Sequence, residues 1–351
     1  MKVVLIISGN SFKSPYLSHY LEALNSLNIS YDIISWNRLH VNEPGIIQFN
    51  CNASEEKGYI KRFYLYGKYL KFIKKRISEE KYEKIIVFTI ALGILLYPIL
   101  NTKYSKKYIF DIRDFSIMRI FMRRRFSSLI DRSFCTIISS KGYLTWLPEK
   151  KYVISHNCSS LIDYNPSIID IDISVKRYTI TTIGSIRDYN ANRLLIKELG
   201  NDSRFTLKFI GSGPAENKLK RYVEINKIRN VTFYGLYNNV DQFKLIEDAN
   251  FINIITKSDI NSKSLITNRF YSSIIKGIPT LVNTNSYQGL IVKQYSLGCC
   301  IDLNNSISEQ IFQYLSNFSV VDYNKGRKEY IKIIAQDMST FYTKLKTFLE
   351  S

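Results

Sequence analysis

The chain has 351 residues, 45% of them hydrophobic, which is too long for one ordinary α/β core and enough to bury two. Its formal charge of +19 at pH 7 calls for anionic partners, whether nucleic acid, acidic lipid headgroups or phosphate-bearing substrates. Five scattered cysteines, Cys51, Cys135, Cys158, Cys299 and Cys300, form no C-x-x-C pair, which excludes the common zinc and dithiol motifs and fits a reducing cytosol.

From Met1 the chain runs straight into an apolar strand and a polar loop, with no pattern of a secretory signal. Short apolar runs then alternate with longer helical patterns, without repeats, and that rhythm predicts parallel sheets covered by helices. In the first half the expected strands are 3–7, 31–34, 85–88, 108–111, 135–138 and 152–155. The longest apolar run, 85–100, is shorter than the roughly 20 residues of a spanning helix and carries Thr89, Gly93 and Pro98, so it is expected to be a buried strand entering a helix. Residues 159–177 contain Pro166 and lack periodicity, which suits an interdomain connection. A second series follows at 178–183, 206–210, 231–234, 251–255 and 280–282. Beyond Arg327, Tyr330, Ile334, Met338, Phe341, Leu345 and Phe348 recur at helical spacing and need a surface to bury against. The expected division is 1–165 and 166–327, with a helix at 328–351 packing back on the first domain.

Three segments of the second half have the form that phosphate chemistry needs. Thr181-Thr182-Ile183-Gly184-Ser185-Ile186-Arg187 is a strand ending in a small-residue turn, where Gly184 and Ser185 would let backbone amides approach an anion and Arg187 would add a bidentate pair. An ordinary strand-to-helix turn with a solvated arginine has the same pattern. Lys208-Phe209-Ile210-Gly211-Ser212-Gly213-Pro214 repeats the form, and its glycines serve either a ligand or close packing. Asn268-Arg269-Phe270-Tyr271-Ser272 opens a helix stopped by Gly277, whose free amino-terminal amides and neighbouring Arg269 suit a phosphate. A core helix with a glycine stop fits equally.

In this order and spacing the three segments resemble the nucleotide-sugar domain of group-one glycosyltransferases. The resemblance covers 180–300 and continues through Asn230-Val231-Thr232-Phe233-Tyr234-Gly235, similar to the segment beside the donor base, and through Asp248-Ala249-Asn250-Phe251. It is looser in the first half, at Gly9 and Asn10, at Phe110-Asp111-Ile112-Arg113-Asp114 and at Val153-Ile154-Ser155-His156-Asn157. Capsule and O-antigen enzymes are the most similar. The resemblance implies an α/β GT-B fold of two Rossmann-like doubly wound domains facing a central cleft. It implies retaining, metal-independent transfer from a nucleotide-sugar, with a UDP-sugar as donor, to a polyprenyl-pyrophosphate-linked glycan, and no cofactor. Donor contacts are then expected from Gly184, Ser185, Arg187, Gly211, Ser212, Gly213, Tyr234, Gly235, Asn268, Arg269 and Ser272. Asp111 and Asp114 end a predicted strand where open sheets gather ligands, so either would orient an acceptor hydroxyl. Gly9, Asn10, His19 and His156 are placed on the acceptor side, a structural role for both histidines remaining open. Where the family carries two glutamates with seven residues between them, this chain has Ser264 and Ser272, and where it carries a second phosphate-binding lysine, Asn190. An epimerase of nucleotide-sugars on the same architecture and a silent nucleotide- or glycan-binding subunit are the alternatives.

The charge leans to the first half. Residues 57–76 place Phe63, Tyr66, Leu70 and Ile73 on one stripe among Lys61, Arg62, Lys68, Lys71, Lys74 and Lys75, and Arg119, Arg123, Arg124 and Arg125 form a second cluster. Each basic side chain near an anionic leaflet contributes about 1 kcal/mol, so the helix is expected to hold the chain on the inner face of the cell membrane. A surface helix packing its stripe on its own domain has the same pattern. No zinc-finger spacing, no RRM-like run and no basic helix joined to heptads is present, which argues against nucleic acid as the partner.

Overall fold

The structure, a computed structural model, describes residues 1–51, 59–158, 164–171 and 174–351, with only the backbone of 59–63 and of Asn239. The chain divides into two compact units, Met1–Ser159 with Gln336–Ser351, and Ser160–Ala335. Each is built on one parallel sheet.

In the first unit the strands are β1 (Lys2–Ile6), β2 (Ser30–Asn37), β3 (Ile47–Asn50), β4 (Lys84–Phe88), β5 (Tyr108–Ile112), β6 (Cys135–Ile138) and β7 (Val153–Ile154), in the spatial order β3-β2-β1-β4-β5-β6-β7. The central ones are apolar on both faces, as strands covered by helices on either side must be, and β4 and β5 are buried throughout. The second unit has β8 (Tyr178–Ile183), β9 (Phe205–Ile210), β10 (Val231–Gly235), β11 (Phe251–Asn253), β12 (Thr280–Asn283) and β13 (Gly298–Ile301), ordered β10-β9-β8-β11-β12-β13. At its edge β10 alternates between half-buried and exposed residues, the period of a strand with one wet face. In both sheets the order reverses once, between β1 and β4 and between β8 and β11. The connections there diverge to opposite faces and leave a crevice at the carboxyl ends of the strands.

Two strands escape the sequence reading, β3 and β13, and both are short edge strands with little β-branched apolar character. The run 85–100 is strand β4 followed by the helix Ile90–Leu95, as expected. The carboxyl-terminal helix begins at Val320, not after Arg327, and is one element to Glu350. Its first part belongs to the second unit, where Tyr330 lies 5.8 Å from the Phe270 ring. Return to the first unit begins at Gln336 instead of 328, with Met338, Phe341, Leu345 and Phe348 fully buried.

The basic helix Tyr59–Glu79 closes its apolar stripe inside the first unit. Leu65, Tyr69, Ile73 and Ile77 are buried, Tyr66 lies edge-on to Trp36 at 5.0 Å, and the Tyr69 hydroxyl donates to the Ile7 carbonyl at 2.6 Å. Lys68, Lys71, Lys74 and Lys75 point to solvent, whereas the side chains of Lys61 and Arg62 lie outside the described ones. From Tyr64 onward it is therefore a packed surface helix with a charged outer face, on which Tyr64 is the one exposed large apolar side chain among the described residues. Among the described residues no helix is long and apolar enough to cross a membrane.

Arg327 ties the helix start to the second unit. It is 1% exposed, and its guanidinium donates to the carbonyls of Ile274, Ser167 and Ile275 at 2.5, 2.9 and 2.9 Å and to the Tyr164 hydroxyl at 2.8 Å. Removing it orphans buried acceptors, so Arg327→Ala is expected to cost about 3 kcal/mol or more in chemical denaturation. Arg327→Lys, with a single-point ammonium in place of the fork, is expected to recover less than half of that; a fully stable Arg327→Ala would show that these bonds are dispensable.

Candidate functional site

In the second unit the reversal of strand order lies between β8 and β11, and three turns converge there. Strand β8 ends in Gly184, whose φ of +92° is one that side-chain-bearing residues rarely adopt. The Gly184 amide donates to the Ile210 carbonyl at 2.8 Å and the Ile186 amide to the Ser212 carbonyl at 3.1 Å. Those two amides are thus committed to the neighbouring turn. Ser185 and Arg187 are exposed, and among the described residues their amides have no backbone acceptor.

The second glycine turn has a different task from the expected donor contact. A Cβ on Gly211 would lie 2.0 Å from the Gly184 carbonyl oxygen, and one on Gly213 would lie 2.4 Å from that of Ile186. Both glycines therefore let two turns press backbone to backbone, and their open sides are filled by protein. Ser212 hydrogen-bonds Glu216, which lowers the Glu216 pKa after the larger effect of Lys220. Gly235, at φ +76°, accepts the Gly211 amide at 2.7 Å and extends the same support. Tyr234 is half exposed beside it, on an open depression of about 740 Å³ that Leu236, Tyr237 and the ion-paired Lys208 and Asp248 also line.

The helix Asn268–Lys276 ends at Gly277 in the left-handed conformation, as its sequence predicts. Its cap residue Thr267 turns its hydroxyl to Gln288 at 3.0 Å and makes no side-chain capping bond; the Phe270 amide donates to the Thr267 carbonyl at 3.1 Å, while those of Asn268 and Arg269 have no backbone acceptor among the described residues. Asn268 is exposed. The Arg269 guanidinium reaches back across the crevice, donating to the Ser185 carbonyl at 2.7 Å and to the Asn253 carbonyl at 3.4 Å. It thereby spans the ends of β8 and β11. Arg187 folds over the same turn, its Nε 2.9 Å from the Ser185 hydroxyl.

Electrostatics make this a demanding spot. Burial first, and the Arg187 charge beside it, push the Arg269 guanidinium down to about 10, which still leaves it protonated at neutral pH. Among the described residues no carboxylate pairs with either arginine. Two neighbouring cations at a strand-end crevice, Arg269 held by carbonyls and Arg187 by the Ser185 hydroxyl, with no carboxylate partner among the described residues, form a seat for an anion. Tyr237 completes the wall, with its hydroxyl 3.9 Å from where a Gly184 side chain would begin. Burial pushes its phenol pKa up, and Arg269 opposes that shift. No sequence signal identified Tyr237, since only the return of the chain from β10 brings it there.

Ser272 departs from expectation. It is buried, accepts from the Gln242 amide and donates to the Asn268 carbonyl at 3.1 Å, so its hydroxyl is satisfied within the protein and offers no ligand contact. Ser264 is likewise buried and donates to the Ile260 carbonyl at 2.7 Å.

In the first unit the acceptor-side candidates separate sharply. Asp111 is fully buried, accepting from the Tyr20 hydroxyl at 2.5 Å and from Arg113 at 2.6 Å, so it braces the strand end and cannot reach an acceptor. Asp114, three residues on, is exposed. Asn10 is buried and donates to Asn37 at 2.8 Å and Glu43 at 3.0 Å, which makes it a loop anchor; beside it Gly9 is open, with nothing within 4 Å of a Cβ. His156 is buried and paired with Asp337 at 3.2 Å. His19 is 1% exposed between the Tyr342 hydroxyl and the His156 carbonyl, both at 3.0 Å. Both histidines are structural. Among the described residues no group of three or more His, Cys, Asp or Glu side chains is placed to hold a metal ion.

The buried His19 has a measurable consequence. Burial and the Arg113 charge lower its pKa from the ordinary 6.5 to about 4, so the native state keeps it neutral where the unfolded chain takes a proton. Its contribution is present above pH 6.5 and is lost as pH falls towards 4, by up to about 3 kcal/mol. His19→Gln is expected to flatten the fall of melting temperature across that window, and an unchanged acid slope would show that other groups set it.

No protein-family profile matches the chain, and no curated protein matches its sequence. Solved structures do match it in fold. The lipopolysaccharide outer core galactosyltransferase WaaB in its apo form is 12% identical, with a TM-score of 0.64 over 98% of this chain and 99% of that one. Anabaena HepE in complex with UDP and glucose is 10% identical, at 0.65 over 100% and 98%. The UDP-GlcNAc 2-epimerase from Methanocaldococcus jannaschii is 14% identical, at 0.57 over 96% and 100%. With its two reversed parallel sheets, the chain has the α/β two-domain GT-B fold along its whole length.

Proposed function

We propose that this chain is a glycosyltransferase that transfers a sugar from a UDP-sugar to a lipid-linked saccharide in the synthesis of a bacterial capsule or O-antigen. The observation that carries the reading is the Arg187 and Arg269 couple at the β8/β11 crevice, which has no carboxylate partner among the described residues. A donor diphosphate there meets two guanidinium groups and the Asn268 and Arg269 amides that open the Asn268–Lys276 helix. As the anomeric carbon–oxygen bond breaks, negative charge grows on the departing diphosphate, and fixed cations stabilise that charge more than the ground state. The departing phosphate accepts the proton of the attacking hydroxyl, giving retention with no metal and no separate general base. Asp114, exposed at the end of β5, is the acceptor-side carboxylate.

Support for the donor and the pathway comes from similar folds, one an outer core galactosyltransferase and one solved with UDP and glucose. The net charge of +19 suits a substrate carried on a pyrophosphate lipid and work at the inner membrane face. The same fold also carries an epimerase, so the second reading is interconversion of free nucleotide-sugars, which needs no acceptor. Product analysis with and without acceptor separates the two, and a chain that binds donor but never turns over would be a silent binding subunit.

Arg187→Ala and Arg269→Ala are each expected to lower transfer by about a hundredfold, with weaker UDP binding in titration calorimetry. Wild-type transfer by both variants would overturn the assignment. Among UDP-, GDP- and CMP-sugars, the UDP-sugar is expected to raise the melting temperature most, because a ligand held only by the native state stabilises it.

A further inference from the structure

Among its described side chains the charged helix Tyr59–Glu79 turns its apolar stripe inward and exposes only Tyr64, but another part of the first unit has both charge and an exposed apolar cluster. After β5 the chain makes a short turn, Met118–Phe121, and enters the helix Arg123–Arg132. Ile117, Ile120 and Phe121 on and beside that turn are 59%, 54% and 80% exposed, in a unit whose other large apolar side chains are mostly covered. Between Phe115 and Ile130 the sequence has four arginines and no carboxylate. Arg123, Arg124 and Arg125 are exposed, Arg125 lying 5.6 Å from the Tyr97 ring.

Stability does not account for this arrangement. Three arginines in the first turn of a helix oppose its macrodipole, Met122 supplies no side-chain cap, and exposed Ile and Phe gain nothing in water. The segment is nevertheless well anchored. Arg119 bonds the Trp146 carbonyl and lies over the Phe115 and Trp146 rings at 5.4 and 5.3 Å, while Phe126, Leu129 and Ile130 are buried beneath. The apolar side chains are thus held out on a firm base.

We propose that residues 117–125 form the surface by which the chain sits on an anionic lipid bilayer, Ile117, Ile120 and Phe121 entering the headgroup–acyl boundary while Arg123, Arg124 and Arg125 pair with lipid phosphates. Charge complementarity selects an anionic surface, and the three apolar side chains select lipid over nucleic acid, whose phosphate backbone offers them no apolar layer. The inference deepens the acceptor side of the proposed function and rests on that reading in taking the acceptor to be lipid-borne.

The test is co-sedimentation of the full chain with vesicles of phosphatidylcholine alone and of phosphatidylcholine with phosphatidylglycerol. Wild type is expected on the anionic vesicles only, with release by salt. Arg123→Gln/Arg124→Gln/Arg125→Gln is expected to weaken partitioning on the order of a hundredfold. Ile117→Ser/Ile120→Ser/Phe121→Ser should weaken it at least tenfold, and Lys68→Gln/Lys71→Gln/Lys74→Gln/Lys75→Gln less than either. Melting temperatures confirm that each variant is folded, and UDP binding is measured in parallel. Equal binding to neutral vesicles, undiminished binding by both patch variants, or a concentration-dependent dimer abolished by the Phe121 variant without vesicle binding would each overturn the proposal. Vesicle binding lost only in the patch variants supports it, even in a chain that proved not to bind UDP, a result that would count against the donor site alone.

Discussion

A single guanidinium held between two strand ends sets the character of the second unit. Arg269 starts on a helix, yet its charge is fixed at the carbonyls of Ser185 and Asn253, where the sheet reverses its order. Carbonyl oxygens orient a cation without neutralising it. The charge therefore remains available, and Arg187 on the same turn adds to it where a carboxylate would have cancelled it. Every other feature of the crevice bears on how close an anion comes to that pair.

Backbone proximity is the first such feature. Gly211 and Gly213 allow the β9 turn to lie directly against the β8 turn, taking up the amides of Gly184 and Ile186 and leaving those of Ser185 and Arg187 outward. Alternation along a turn thus decides which amides are structural and which are free. The glycine-rich sequences look alike, but one turn supports and the other presents.

That distinction marks the limit of what the sequence made legible. The doubly wound rhythm, the Gly184 turn and the opening of the Asn268 helix follow from local rules of strand period, turn chemistry and capping, and they stand where those rules put them. Tyr237, Asn253 and Gln242 carry no local signal, because they meet the site only through pairing of strands far apart in sequence. The Asp111 to Asp114 motif shows the same limit at shorter range. Asp111 and Arg113 close on one another at the buried end of β5, and Asp114 is exposed only because the chain has left the sheet there, which the sequence pattern alone does not tell. In the basic helix Tyr59–Glu79 the apolar stripe was visible, but a stripe does not name its partner; Trp36 and the Ile7 carbonyl do.

The two units also treat buried charge in opposite ways. In the first, Asp111 meets Arg113 and the Asp337 carboxylate is held by Lys141 and His156, so charged groups find their partners inside the unit. Such pairs brace strand ends, but they have no charge left for a ligand. In the second, Ser264 and Ser272, where the resemblance drawn from the sequence would put two glutamates, turn their hydroxyls onto carbonyls of their own helical segments. Neither position therefore carries a carboxylate. Neutral hydroxyls there leave the positive field of the arginine pair undiluted. Under the proposed function a nucleotide-sugar would be held chiefly by its phosphates, and selection of its base would fall to the Tyr234, Leu236 and Tyr237 wall beside them.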